Sequence, residues 1–449
     1  MLKDAWMLAI ETLSWMEMQK LSERSAIAKT VRQLDVSDSD AVRLAYRLVC
    51  ETVRRRNYID RYINKVAKPR TVGEYELGIQ AFLRLYVYQT RIARKWSRPN
   101  VEEAETIVKL VRSILGWRTT KEVESILGEL LTQEPDIVLE GATDEEKVGL
   151  STFHPVWFVK YCFNLFGRSN AVIMLEADNQ TLPTYIRLNT LRASEDVILE
   201  KLAAEGIQIK KVEHLRFAYE IKNTRAPLTG TTSFQEGLFY IQDKASCFAA
   251  EVANPQPGMT LLEVCAAPGA KTTYLAQLMQ NRGAIYSIDY SKRRMGIWKR
   301  EVGQMGVKIA EPVIADACEL SPLTKEADVV VLDPPCTGSG NFVRSPSSKW
   351  RLTSRSIDKM AEIQWRMLEK SAENVKPGGT LVYSTCSITL EENEMLVEKF
   401  LKRNCDFLLA EATPKIGLPG LRGLDMCQRL FPHIHMCNGF FIAKLIKNL

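Results

Sequence analysis

The stretch LLEVCAAPGAKTTYLAQLM, residues 261–279, reads as a strand, a turn of small residues and a helix. Small residues let a ligand press against the backbone, and the start of a helix offers N–H groups that lack intrahelical partners. Two common uses of such a turn fail here. A phosphate-binding P-loop needs Gly, four residues, then Gly-Lys-Thr; counting back from Lys271, those glycine positions hold Ala270 and Cys265. A dinucleotide fingerprint needs several glycines, and the turn has Gly269 alone. Outward from this unit the rhythm of strand, turn and helix repeats. Strands are expected at MTLLEVCA, AIYSIDY, PVIAD, ADVVVLDPP, GTLVYSTCS and GFFIAKLI, with helices between most of them. Strands that are apolar throughout and alternate with helices imply an α/β fold, a mostly parallel Rossmann-like sheet covered on both faces. Ligands of such sheets sit at the carboxyl ends of the strands.

A nucleoside cofactor without phosphates fits this turn. Its ribose hydroxyls want a carboxylate at the end of the second strand, and Asp289 ends AIYSIDY twenty residues after Gly269. Asp316, in PVIADA, is placed to receive the exocyclic amine of an adenine. The two acids together favour S-adenosylmethionine.

Two cysteines should meet at the same rim, Cys336 after the fourth strand in DVVVLDPPCTGSG and Cys386 after the fifth in LVYSTCS. A thiol beside a methyl donor suits alkylation of carbon 5 of a pyrimidine, an atom too weakly nucleophilic to react unaided. A thiolate adding to carbon 6 makes carbon 5 enolate-like, which is covalent catalysis. Ring nitrogen 3 then needs a hydrogen bond or proton, and Asp333 is expected to supply it as a carboxyl group kept protonated by a dry site. A second thiol can assist the removal of the carbon 5 proton that precedes release. By analogy with the Pro-Cys of DNA cytosine methyltransferases alone, Cys336 would be the nucleophile.

VCAAPGAKTTYLA, VVLDPPCTGSG, the run from KWRLTSRSIDKM through GTLVYSTCSITLEENE, and RLFPHIHMCNGFFIAKL closely resemble the RNA 5-methylcytosine methyltransferases of the Nop/Sun family. YIRLNTLRAS and FYIQDKAS resemble that family's preceding segments, so the likeness spans residues 154–449. The resemblance implies that Cys386 attacks and that Cys336 assists breakdown of the adduct. It also implies cofactor contacts from Cys265, Ala266, Ala267, Pro268, Gly269, Ala270 and Lys271, and from Asp289, Asp316 and Asp333. Ala270 replaces the family's second glycine; a positive φ there would strain an alanine by roughly 1 kcal/mol, so an ordinary φ is expected. Asn438 stands where the family often has Asp.

Residues 1 to about 130 read as helices, with Pro69 and Pro99 as breakers. Residues 51–100 hold twelve Lys/Arg against four Asp/Glu, and 101–150 hold five against twelve. Arg54, Arg55, Arg61, Lys65 and Lys68 can share a face with Tyr58 and Tyr62 between them, a pattern that suits phosphate. This part resembles the NusB-like RNA-binding domain attached to bacterial ribosomal members of the family, on helix pattern, VRRRNYIDRYI and YELGIQAFLRL. LTQEPDIVLEGATDEEK, 131–147, breaks the period and is expected as a linker. The expected division is a helical NusB-like domain over 1–150, a small α/β RNA-binding or linker segment over 151–250 and the catalytic domain over 251–449.

The chain of 449 residues carries a formal charge of +6, which alone implies no partner. No apolar run reaches eighteen residues, and Asp4, Glu11 and Glu17 interrupt the first segment, so neither a membrane span nor a signal peptide is expected. A cytoplasmic monomer acting on RNA, ribosomal or transfer, is the expectation. Ten dispersed cysteines without a CxxC pair read mostly as buried thiols. Cys427, His433, His435 and Cys437 fit no common zinc spacing, the aromatic stripe HPVWFVKYCFNLF reads as core, and SKRRMGIWKR is either an RNA-steering or a solvated face. The rival from another class is an inactive RNA-binding or assembly factor, against which the intact Asp333, Cys336 and Cys386 speak. Adenine amino-group methylation would want an aromatic residue where Cys336 stands.

Overall fold

The computed structural model describes residues 1–96, 98–320 and 326–449. The chain forms two compact units, residues 1–180 with 342–351, and residues 181–341 with 352–449.

The first unit is helical. Helices Leu2–Gln19, Glu23–Leu34, Ser39–Arg54, Arg56–Val66 and Leu77–Val87 bury Trp6, Leu48, Tyr62, Ile63, Phe82 and Leu85 in a single core. Pro69 lies between the fourth and fifth of these, and Pro99 precedes helix Val101–Leu115, which Asn100 caps through its side chain. The basic face expected on residues 54–68 is largely committed inward. Arg54 donates to the carbonyls of Asp178 (2.7 Å) and Val343 (2.9 Å), Arg61 to Val138 (2.8 Å) and Lys65 to Glu140 (3.3 Å). Tyr62 is buried, and its hydroxyl donates to the Gln133 carbonyl at 2.8 Å. These cations satisfy carbonyls left over at helix ends and loops, a use that charge counting does not distinguish from phosphate binding. For the same reason residues 131–147 are packed, with Val138 buried in the core rather than in a free linker. Helix Val156–Phe166 buries Phe158 and Cys162, so the aromatic stripe is core. Segment 342–351 is embedded in this unit through Trp350, whose indole donates to the Val53 carbonyl (2.6 Å), and Lys349, which donates to Phe153 (2.9 Å).

The second unit holds two sheets. Strands β1 (Tyr185–Leu188), β2 (Gln208–Lys211), β3 (Ala218–Asn223) and β4 (Phe239–Ile241) form an antiparallel sheet in the order β2-β3-β1-β4. Its core, from Ile186, Leu188 and Phe239, is covered by Ile198 and Leu202 of helix Glu195–Ala204. The larger sheet comprises β5 (Thr260–Val264), β6 (Ala284–Asp289), β7 (Ala310–Ile314), β8 (Ala327–Leu332), β9 (Val375–Thr385), β10 (Phe407–Ala410), β11 (Leu418–Pro419), β12 (Gln428–Leu430) and β13 (Phe440–Lys447). Its order is β11-β12-β13-β9-β8-β5-β6-β7, with β10 beside β13. β5 to β9 run parallel, and β13 is antiparallel to β9. Successive residues serve opposite faces: Leu261, Val329 and Val331 pack on one core, Leu262, Val330 and Leu332 on the other. Both faces are therefore apolar, the pattern of a sheet covered on both sides. Chain order reverses between β5 and β8, which puts the ligand crevice at the carboxyl ends of those strands.

Candidate active site

β5 ends at Val264, and the chain turns through Cys265 at φ +66° and Gly269 at φ +116° before helix Ala270–Leu278. Gly269 is required twice over, by its left-handed φ and because an added Cβ would lie 3.2 Å from Trp298. Ala270 takes the first helical position and is not among the residues at positive φ, so the alanine is unstrained. Ala266 and Ala267 keep the turn narrow, both nearly buried.

Asp289 ends β6 at 2 % exposure, its Oδ2 accepting from the Ala267 amide (3.3 Å) and its Oδ1 from the Ser291 amide (3.0 Å). Arg294 stands 3.0 Å from the same carboxylate and also donates to the Ala267 carbonyl. The turn and the second-strand acid are thus brought together. Asp316 lies two residues beyond the end of β7, exposed, with Oδ1 accepting from the Cys318 amide at 2.8 Å.

Asp333 follows β8 and is contacted by the ammonium of Lys271, whose side chain is 13 % exposed. Burial opposes the Lys271 charge, but contact with Asp333 and the charges of Glu263 and Cys386 outweigh it and hold Lys271 above the ordinary lysine value. Lys271, read from the sequence only as a cofactor contact, thus reaches across from helix Ala270–Leu278 to pair with Asp333.

Cys336 and Cys386 do converge. Their Sγ atoms are 2.9 Å apart and both residues are half-buried. The bond to Cys386, burial, and the nearby charges of Glu392 and Asp333 push the Cys336 thiol well above its ordinary pKa. The contact between the two sulfurs can run in either direction, and Lys271 lies near enough to Cys386 for their charges to interact.

Sequence reasoning missed Glu392, fully buried and hydrogen-bonded to residues that follow both cysteines. It sits in the run LEENE, where acids normally mark solvent. Cys427 and Cys437 lie in the cores on opposite faces of the sheet, and His435 Nδ1 accepts from the Phe431 amide at 2.9 Å.

Residues 250–446 match the family profile of the 16S rRNA methyltransferase RsmB/F, and residues 154–226 match the ferredoxin-like domain of RsmF/B-like methyltransferases. The crystal structure of a methyltransferase homolog protein from Pyrococcus horikoshii is 33% identical, covers 68% of this chain and 99% of its own, and superposes with TM-score 0.62. The chain belongs to the Nop/Sun family of RNA methyltransferases. A probable ribosomal RNA small subunit methyltransferase B from Bacillus subtilis is 29% identical over 98% of both chains. A tRNA (cytosine(72)-C(5))-methyltransferase of Pyrococcus horikoshii is 38% identical over 49% of this chain and 55% of its own. The crystal structure of PH0851 superposes with TM-score 0.84 at 29% identity, covering 100% of this chain and 99% of the other. This methyltransferase uses S-adenosylmethionine. The cradle fits a nucleoside rather than a nucleotide, since it pairs a narrow turn with the buried Asp289 carboxylate, a group that would repel phosphate. No helix among the described residues is long and apolar enough to cross a membrane.

Proposed function

We propose that the enzyme transfers a methyl group to carbon 5 of a cytosine in RNA, through a covalent adduct on Cys386. The observation that carries this reading is the pair of thiols 2.9 Å apart at the strand ends, beside the Lys271–Asp333 ion pair. S-adenosylmethionine, when bound, supplies the electrophilic methyl group. The Cys386 thiolate adds to carbon 6, and the electron pair of the ring double bond moves onto carbon 5 as the Lys271–Asp333 pair provides a proton or hydrogen bond at nitrogen 3. Carbon 5 then takes the methyl group. With Cys386 bonded to the ring, its hold on the Cys336 proton is lost; Cys336 gives that proton to solvent and, as a thiolate, takes the proton from carbon 5, the double bond re-forms, nitrogen 3 returns its proton to the Lys271–Asp333 pair, and Cys386 leaves as a thiolate. Asp289 orients the ribose, and the turn from Cys265 to Lys271 and Asp316 complete the cofactor contacts.

The family and the relatives with ribosomal names support rRNA as the favoured substrate, with tRNA second. A cytosine inside a duplex cannot reach Cys386, so the target is unpaired or flipped outward. In the same reading, residues 1–150 act as a NusB-like RNA-binding domain, 151–250 as an accessory RNA-binding segment and 251–449 as the catalytic domain, in a cytoplasmic monomer. The test is transfer of a tritiated methyl group to RNA from cells lacking this gene. Cys386→Ala should lose transfer at least about a thousandfold while cofactor binding persists. Transfer by Cys386→Ala at the unaltered rate would contradict the proposal.

A further inference from the structure

The carboxylate of Glu392 is fully buried at the point where the two cysteine loops meet. Its Oε1 accepts from the Thr337 amide (2.8 Å) and from Gln364 Nε2 (2.9 Å). Its Oε2 accepts from the hydroxyls of Thr337, Ser387 and Thr389, each at 2.6 Å. Thr337 follows Cys336 and Ser387 follows Cys386. One charge thus holds the residue after each thiol. Five donors on a single carboxylate offset the cost of burying it, and they leave it little freedom to move.

The two loops do not depend on it equally. Cys386 continues β9, whose last residue, Thr385, is paired in register with Phe441 of β13 and donates through its hydroxyl to Asn393 at 2.6 Å. Residues 333–338 have no regular structure. Around Cys336, the Thr337 amide and hydroxyl bond to Glu392, and the Pro335 carbonyl accepts from Gln364 (2.9 Å), which itself bonds to Glu392. Removing Glu392 takes the two shortest bonds from Thr337 and leaves the Cys336 loop only the longer Thr337 contacts to Ser339 and Ser387 and the Gln364 strut, while the sheet still holds Cys386.

We propose that Glu392 is a positioning residue that fixes Cys336 against Cys386, and that it serves release of the methylated RNA rather than attack on it. This rests on the proposed division of labour between the two cysteines. Misplacing a reacting group by about 1 Å can slow the step it serves about a hundredfold.

The experiment uses the full chain, S-adenosylmethionine and substrate RNA, and follows methyl transfer and loss of the covalent protein–RNA adduct separately in single turnovers. Cys336→Ala serves as the reference for trapping. Glu392→Ala should methylate within about threefold of the wild-type rate yet release RNA at least about tenfold more slowly, so that adduct accumulates. Glu392→Gln should restore release to within about threefold, because its amide oxygen keeps the Thr337 and Gln364 bonds while its NH2 donates to hydroxyls, which also accept. Should Glu392→Ala fail to fold, Gln364→Met removes the strut to Pro335 and the Gln364 bonds to Glu392 and Tyr383 while leaving the other four donors on Glu392, and is expected to slow release by about threefold with attack unchanged. A purely structural role would lower both steps together, or leave Glu392→Gln as slow as alanine, and either result overturns the proposal. So does adduct trapping by Cys336→Ala with normal release by both Glu392→Ala and Gln364→Met. If Cys336→Ala itself releases RNA normally, the assignment of Cys336 falls first and the role of Glu392 with it.

Discussion

Glu263, 2 % exposed on β5, accepts hydrogen bonds from the Thr272 and Ser287 hydroxyls, and burial lifts its pKa from 4.5 to about 7. An acid whose folded pKa lies above its unfolded value holds a proton that the unfolded chain has already released between those two pH values. Stability therefore falls as pH rises from about 4.5 to about 7, by about 3 kcal/mol in all. Glu263→Gln should remove that slope, so urea unfolding at pH 5 and pH 8 should show the wild type losing more than the variant; equal losses would contradict the burial argument. Other residues of the site were legible from position alone. Asp289, Cys336 and Cys386 follow from strand ends, because the carboxyl edge of a parallel sheet is where side chains meet. Lys271 against Asp333 was not legible, since the length of the intervening chain says nothing of what a lysine on the first helix reaches. Glu392 was hidden for another reason. Glu392 and Glu394 lie in one acidic run and are both fully buried, Glu394 against Arg429, whereas a charge run in a sequence ordinarily marks solvent.

At the scale of the element, alternation and length revealed the strands well, because both faces of the larger sheet are apolar and each strand reads as a continuous hydrophobic run. The antiparallel β13 was legible as a strand, but its direction is set by pairing with β9 and leaves no local mark. Segment 342–351 was not legible at all as part of the helical unit. It follows the Cys336 loop in sequence, yet its lysine is buried there. Lys349 is 0 % exposed and donates to the Phe153 carbonyl, with Asp178, Glu51, Arg54 and Arg55 as its charged surroundings. Burial, helped by the two arginines and opposed by the two acids, lowers its pKa from 10.5 to about 7. A lysine depressed in the fold binds fewer protons than the unfolded chain between those values, so stability is lost as pH falls from about 10.5 to about 7. Lys349→Met should flatten denaturant stability between pH 7 and pH 10 relative to the wild type. An unchanged slope would show that Lys349 is already charged in the folded protein.

At the scale of the whole molecule, the charge count pointed to the N-terminal helices as the RNA surface, but the structure turns much of that charge inward. Arg54 and Arg61 satisfy carbonyls, so their loss should cost stability before it costs RNA affinity. Helix Lys292–Gln304, just after Asp289, keeps Lys292 and Arg293 exposed while it buries Met295 and Trp298. The double variant Lys292→Ala, Arg293→Ala should weaken RNA binding and reduce the slope of log affinity against log salt by about one and a half, with the thermal midpoint unaltered. An unaltered salt slope would place the phosphate contacts elsewhere. The count of domains was harder to read than their chemistry, since periodicity reports local pattern and the structure groups residues 342–351 with the first 180.

The central claim concerns which sulfur bonds to the base, and peptide mapping of the trapped complex tests it most directly. Cys336→Ala incubated with RNA and S-adenosylmethionine, digested and sequenced by mass spectrometry, should carry a methylated cytidine on the peptide containing Cys386. A nucleotide bonded to any other residue, or an adduct formed by Cys386→Ala that carries its base on Cys336, would contradict the account.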